Sequence, residues 1–435
     1  MRQMPPQEID SKFQQLLQEL PAEAQELARE CKAFQRSRRI KTVADLLRAV
    51  MLYSACDLSL REIAGWFTGR GQRMTDEAVR GRLKCCAKWI EALIGKMLPI
   101  VEQPQSPGGK KSWKLVIRDG SVVNGPGSQG TDYRFHLSFD PVEQKIDELR
   151  LYDAKTSESL KLFRHEGIAI EMGDRAFAKA SALIETRKAG AHFCVRMTPN
   201  YLALRDRSSD KFDLIGQLQG AGEAVSLSFE ALVHDTKTRE TCEAYLHAHR
   251  LSEQESNKAR RRVKRRAQKK GHTLRGNTLL LCDWLLVLTS IASSEMPAEV
   301  IFELYRVRWQ VELLIKRFKS LLNADFLRAH GGSPLSEAYL LGKFLFALLI
   351  ESRTLKRVGN DWMRMVGSRK ATCWRPWKLI AAEIKEALLN TVAWDSLDWL
   401  QMLNVLGERR RKRRLQLIPD AVAQWLRGNP VTDTL

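Results

Sequence analysis

The chain has 435 residues, 71 Lys and Arg against 51 Asp and Glu, and a formal net charge of +20. That length allows roughly two to four structural units of about 100–200 residues each, and 44% apolar with 28% charged residues exclude a disordered or collagen-like polymer. The longest uncharged apolar stretches, Leu279–Cys282 with Leu285–Leu288 and Phe344–Ile350, fall far short of the roughly 20 residues a bilayer span needs, so no membrane partner is expected.

Met1–Asp10 holds Arg2, two prolines and two acids without an apolar core, unlike a secretory leader, and a cytosolic protein is expected. Ser11 opens a run with Phe13, Leu16, Leu17 and Leu20 at helical spacing, Pro21 interrupts it, and Ala22–Phe34 resumes. Thr42 caps a longer helix carrying Val43, Leu46, Leu47, Val50 and Met51. Leu60–Phe67, a break at Gly69 and Gly71, and a helix capped by Thr75 follow. This pair resembles a helix-turn-helix whose reading helix, Thr75–Lys84, presents Arg80, Arg82 and Lys84; a plain helical bundle gives the same pattern.

Pro99–Ser112 reads as a linker. Beyond it Trp113, Leu115 and Ile117 alternate with Lys114, Val116 and Arg118, predicting a strand that ends at Asp119-Gly120. Tyr133–Asp140 and a short strand around Leu149 and Leu151 complete an antiparallel meander. Ser157–His165 reads as helical, Ile168–Met172 as a strand running into Gly173-Asp174, and Phe177–Ala189 as a helix. Strands at His192–Met197, Val225–Val233 and Glu240–Ala248, a basic helix at Glu253–Lys270, and a buried strand at Thr278–Ile291 come next. Pro297–Asn323 is a long helix and Leu335–Leu355 a second, and the helical remainder is rich in Trp (Trp362, Trp374, Trp377, Trp394, Trp399).

This gives a helical domain at 1–98, DNA-binding if its helix pair reads bases, a linker at 99–112, and an α/β core in two parts, 113–190 and 277–330. A β-rich insertion with a basic helix separates the parts at 191–276, and a C-terminal helical region covers 331–435. The fold class is α/β, with ligands expected at strand ends.

Eight cysteines without a CxxC pair fit reduced thiols. Cys242, His247 and His249 come nearest to a zinc cluster but lack a second ligand pair. The positive charge gathers in two blocks, Arg260 to Lys270 and Arg409 to Arg414. With the overall excess they point to a polyanion, nucleic acid above all.

On the long helix Tyr305, Arg308, Glu312 and Lys319 stand at offsets 0, 3, 7 and 14, inside one stripe of about 60°. Leu304, Val307, Val311, Leu314, Phe318 and Leu322 take a core face, and Arg306, Gln310 and Arg317 a solvated one. An ordinary Arg308–Glu312 surface pair explains two of the column's residues but not Tyr305 or Lys319. Asp119 and Asp174 fall at expected strand ends, where a carboxylate escapes the desolvation penalty of a strand interior. Joined by Glu312 they can make a three-carboxylate cluster that divalent cations neutralise, with Glu171, Asp153 and Asp283 as rivals. Two Mg²⁺ or Mn²⁺ ions would clamp the attacking and leaving oxygens of a phosphodiester.

Ile117-Arg118-Asp119-Gly120, Gly173-Asp174-Arg175 and Tyr305-x2-Arg308-x3-Glu312-x6-Lys319 resemble the three catalytic blocks of DDE transposases of the bacterial IS-four insertion-sequence family. The resemblance covers about Trp113 to Asn323. It implies an RNase H-like core, with Asp119, Asp174 and Glu312 as ligands of two Mg²⁺ or Mn²⁺ ions and Tyr305, Arg308 and Lys319 as phosphate contacts. It also implies cut-and-paste transposition: a nick at the element's end, a hairpin on the opposite strand, its reopening, and joining of the 3′-hydroxyl to target DNA. Trp284 matches a tryptophan that stacks a flipped base, or is a core residue of an apolar strand; Arg175 touches the flipped nucleotide's phosphate or pairs with a sheet-edge carboxylate. The expected partner is DNA, both element ends and target, bound by a homodimer without a nucleotide cofactor. The alternatives are a non-catalytic DNA-binding protein and a structure-selective nuclease that cuts without joining.

Overall fold

A computed structural model describes residues 10–98, 113–165, 167, 169–198, 202–274, 276–358, 374–390, 401 and 405. The expected linker at 99–112, the second basic block at Arg409 to Arg414, and Trp362, Trp394 and Trp399 lie outside the described residues.

The first described region contains α1 (Ser11–Leu17), α2 (Ala24–Glu30), α3 (Val43–Ser54), α4 (Leu60–Gly69), α5 (Asp76–Leu83) and α6 (Ala87–Met97). Local chemistry sets their starts. Thr42 Oγ1 accepts the Asp45 N–H while the Asp45 carboxylate accepts the Thr42 N–H, Ser59 and Glu62 repeat the arrangement, and Thr75 Oγ1 accepts the Ala78 N–H. Each satisfies donors that the first turn leaves without a partner. α3 is buried along nearly its whole length, Arg48 included. The Arg48 guanidinium makes two 2.8 Å bonds to Asp10 and lies 3.6 Å over the Phe13 ring, which offsets the cost of taking a charge out of water.

The sheet region runs β1 (Lys114–Val123), β2 (Tyr133–Asp140), β3 (Lys145–Asp153), β4 (Ala169–Gly173), α7 (Ala180–Lys188), β5 (His192–Arg196), β6 (Leu204–Arg205), α8 (Leu214–Gln219), β7 (Ser226–His234), β8 (Thr241–Arg250), α9 (Glu253–Lys269), α10 (Gly276–Leu280) and β9 (Trp284–Thr289). The helices α11 (Ala298–Arg306), α12 (Trp309–Leu322), α13 (Pro334–Val358) and α14 (Trp374–Leu389) follow. β1, β2 and β3 form the antiparallel meander, and β4 and β5 extend it in parallel from β1. β9 then pairs antiparallel with both β5 and β8. The result is a mixed sheet of nine strands in the order β3-β2-β1-β4-β5-β9-β8-β7-β6. The strands of 191–276 therefore lengthen the same sheet.

Helices α3 to α6 and α12 to α14 pack with one face of β1–β3 in the largest core. α7 and strands β5–β9 enclose a second core, and α11 covers a third around Met172, Cys194 and Val287. The opposite face of β1–β4 is ionic. Arg118, buried, reaches Glu148 at 2.8 Å and Glu171 at 3.4 Å, and His165 stands 2.8 Å from Glu171.

Four expectations change. Ser157–His165 contains a single 3₁₀ turn at Leu160–Leu162. α7 starts at Ala180, after a turn closed by the Phe177 N–H on the Asp174 carbonyl. The strand expected at Thr278–Ile291 begins only at Trp284, because 276–283 is helical; a short apolar run suits either structure, and its surroundings decide. The helix expected at Pro297–Asn323 breaks at Val307–Arg308, where Val307, Arg308 and Gln310 donate to carbonyls three residues back. Beyond the break, α12 ends at Asn323 in the left-handed region, φ 52°.

Glu351 on α13 is buried and accepts the Ile146 N–H at 3.0 Å. Burial pushes its carboxyl up to about 8, against the opposing pull of that N–H and of Arg317. The folded chain thus keeps a proton that the unfolded chain releases above its ordinary 4.5, and this group's contribution to stability falls as pH rises between those values. Glu351→Gln is expected to match the parent near pH 4.5 and to exceed it above pH 8, by on the order of 2–4 kcal/mol. Urea unfolding across that range checks it.

Candidate functional site

The parallel register of β1 and β4 pairs Ile117 with Met172. Two residues farther along each chain stand Asp119, still within β1, and Asp174, just past the end of β4, on neighbouring chains about 4.8 Å apart at their last pair. Asp119 is not the end of its strand, as the Asp-Gly pair had suggested. β1 continues to Val123 because Ser121 and Val123 keep the alternation and pair with Phe135 and Tyr133 of β2. β4, however, stops at Gly173, so the carboxyl of Asp119 stands where the neighbouring strand has already ended.

Glycine makes the turn beside it possible. A Cβ on Gly173 would meet Phe177 Cβ and Cγ at 2.8 Å. The close approach lets the chain fold back, with the Ala176 N–H donating to Asp174 Oδ1 at 2.7 Å. Gly120 faces His136 in the same way, a Cβ there lying 2.9 Å from Nδ1. His136 is 1% exposed and burial lowers its pKa to about 4, so the ring is neutral.

Burial pushes the Asp119 carboxyl up to about 7, reinforced by Asp174 and Glu158 and opposed by the Gly120 N–H and Arg308. Glu158 is raised by burial and then by Asp174. It is a third acid in this field that the sequence reading missed; a single glutamate in an irregular segment carries no motif.

Glu312 sits in the first turn of α12. Its carboxylate is engaged by Arg308 Nη2, and the Arg308 guanidinium lies 5.8 Å from the Tyr305 ring. Tyr305 is 8% exposed within the third core, and burial raises its hydroxyl while Arg308 and Arg196 pull it down. Lys319 is half-buried farther along α12. The helix break puts Arg308 in the joint between α11 and α12, so the four residues are not one straight column. Arg317 is not on a solvated face: it is 7% exposed, with its guanidinium 4.9 Å from the Trp377 ring.

Among the described residues no three His, Cys, Asp or Glu side chains are gathered closely enough to hold a metal ion. The hard oxygen donors suit Mg²⁺ or Mn²⁺ by type, but with Glu312 drawn to Arg308 the expected three-carboxylate cluster is not formed in this conformation. The rivals are engaged elsewhere. Glu171 is bound into the ionic network behind the sheet, Asp153 caps a turn through Thr156, and Asp283 pairs with Arg260. His247 and His249 are paired with Ser228 and Ser226 and form no zinc cluster with Cys242.

Trp284 is 3% exposed in the second core, and Arg250 lies 4.5 Å over its ring; in this conformation it is a core residue with its face covered. Arg175 is exposed on the turn after Asp174. α9 is anchored on one face, where Ser256 is buried and Arg260, Val263 and Ala267 are partly buried, while Arg261, Arg262, Arg265, Arg266 and Lys269 are exposed. Its root lies at the start of β9, where the Leu251 N–H donates to the Asp283 carbonyl at 2.8 Å. Among the described residues no helix is long and apolar enough to cross a membrane.

Residues 137–348 match the transposase DDE domain family, a stretch that holds Asp174 and Glu312 and starts after Asp119. The chain is similar to the transposase InsL of insertion sequence element IS186A from Escherichia coli strain K12, 29% identical over 336 residues, 76% of this chain and 90% of that protein. It is similar to the transposase of element IS421 from Escherichia coli, 28% identical over 337 residues, again 76% of this chain and 90% of that protein. The transposase of element IS231F from Bacillus thuringiensis subsp. israelensis is 22% identical over 196 residues, 42% of this chain and 41% of that protein.

Gly173→Ala is expected to lower stability by about 1–3 kcal/mol, because the added methyl meets Phe177 at 2.8 Å and backbone must move. Urea unfolding measures the loss, and an unchanged midpoint would show that the turn holding Asp174 is not constrained in this way.

Proposed function

We propose that the chain is a DDE transposase of a bacterial insertion sequence and that it carries out metal-dependent cut-and-paste transposition: nicking at the element's ends, hairpin formation and opening, and transfer to target DNA. The observation that carries this reading is that Asp119, on β1, and Asp174, just past the end of the parallel neighbour β4, lie close enough for their charges to interact, with Arg308 of the Tyr305–Arg308–Glu312 cluster acting on Asp119 as well.

In this reading the core is RNase H-like, and its working edge is where β1, β4 and β5 emerge. Arg308 and Lys319 receive phosphates near the cleaved end, and the ring of Tyr305 supports Arg308 from the core side. Burial disfavours the charged form of the Asp119 carboxyl, a cost that a cation bound beside it would offset. Asp174 is fixed by its own turn. Asp119, Asp174 and Glu312 are the carboxylates we assign to two Mg²⁺ or Mn²⁺ ions, which supply Lewis-acid chemistry for phosphoryl transfer when bound. The exposed cations of α9 follow the backbone of the same DNA, and the protein acts on it as a homodimer.

Purified protein with Mg²⁺ and DNA carrying the terminal repeats that flank its gene is expected to give nicked, hairpin and joined products. Glu312→Gln, Asp119→Asn and Asp174→Asn should each reduce all three by roughly two orders of magnitude or more, while salt-sensitive binding of the DNA persists. Binding with no metal-dependent product in the parent would favour the non-catalytic alternative. Cleavage without joining would favour a nuclease.

A further inference from the structure

Arg308 is the residue on which the site's assembly turns. Its guanidinium holds Glu312 through an ion pair, it is near enough to Asp119 for their charges to act on one another, and its side chain is 17% exposed. One cation therefore neutralises acids from β1 and α12, where three carboxylates would otherwise repel. With Glu312 in that pair, no three acids are gathered closely enough to hold a metal ion among the described residues.

We propose that Arg308 is a positioning residue that couples DNA binding to completion of the metal site. Resting on the transposase reading above, the coupling works by exchange. In the DNA-free protein Arg308 occupies Glu312; a phosphate of the DNA end competes for the guanidinium, whose planar fork suits phosphate as well as carboxylate. Glu312 is then released toward the two aspartates, and its negative charge draws a divalent cation there. DNA and cation strengthen one another's binding, as linkage requires when each favours the same arrangement.

The geometry suits such an exchange. Arg308 lies at the joint between α11 and α12, where hydrogen bonds run to carbonyls three residues back, and the Glu312 side chain is 35% exposed, so neither partner is locked in the core. By contrast Arg118, which is paired with two acids, is fully buried and has no route to a ligand. Through this coupling the protein would hold a complete metal site only when an end is bound, which limits cutting of unrelated DNA.

Fe²⁺ in place of Mg²⁺, with ascorbate and peroxide, cuts the polypeptide beside bound iron, and the cut positions report which residues surround it. In the full-length parent without DNA, cuts are expected near Asp119 and Asp174 but not near Glu312. Adding duplex DNA with the terminal repeat should bring at least a roughly tenfold rise near Glu312, and Arg308→Gln should show that cut without DNA. Cuts near Glu312 in the DNA-free parent would overturn the proposal. So would an equal rise at all three positions in Arg308→Gln, the general effect of losing one cation. Arg308→Lys, which keeps the charge, guards against a folding failure: its DNA-free pattern should match the parent's, and a cut near Glu312 there would also count against the coupling. The readout involves no DNA cleavage, so its failure is separate from failure of the transposase reading, which Glu312→Gln tests through products.

Discussion

The whole site depends on the parallel pairing of β1 with β4. Asp119 and Asp174 are far apart in sequence, and only the register that sets Ile117 against Met172 brings them near one another. Parallel pairing needs a crossover, supplied here by β2, β3 and the irregular segment before β4, and that excursion delivers Glu158 to the same edge. Since side chains alternate with a period of two, a slip of one residue would turn Asp119 away from its partner. The register is held by what lies on both faces: Ile117 in the large apolar core and Arg118 in the ionic network behind it.

That network explains why an acid-rich sheet does not leave its acids free at the reacting edge. Glu148 and Glu171 are 2% and 0% exposed, and both are tied to Arg118, with His165 closing the set. Removing one member of such a buried set leaves an uncompensated charge. The division of labour is clear. One face of the central strands spends its carboxylates on holding the sheet together, while Asp119 and Asp174 stand outside that network and, in the proposed reading, serve the chemistry.

Much of this was legible in the sequence where the signal is local. Thr42 and Thr75 cap helices because their hydroxyls need only the next turn, and the alternation of Tyr133–Asp140 gives β2 directly. The spacing of Tyr305, Arg308 and Glu312 brought them together even though the helix breaks between them. What stayed hidden depends on tertiary surroundings. Asp119-Gly120 looks like a turn, and only the partner strand β2 shows that β1 passes through it. Arg317 looks solvated until Trp377 of α14 covers it. Glu158 has no pattern around it, and the role of Arg308 as a holder of Glu312 follows from a side-chain pairing that spacing permits but does not choose.

The sheet's continuity has one more consequence. β9 joins β5 on one side and β8 on the other, and α9 is rooted beside β9 through Arg260 and Asp283. Across the sheet its root is therefore two strand spacings from β4, whose end carries Asp174, about 10 Å, along a scaffold of hydrogen-bonded backbone. In the proposed reading the basic helix is thus a ruler: a duplex gripped by its cations has its scissile bond set at a fixed offset from the acids, and the offset is measured in strands.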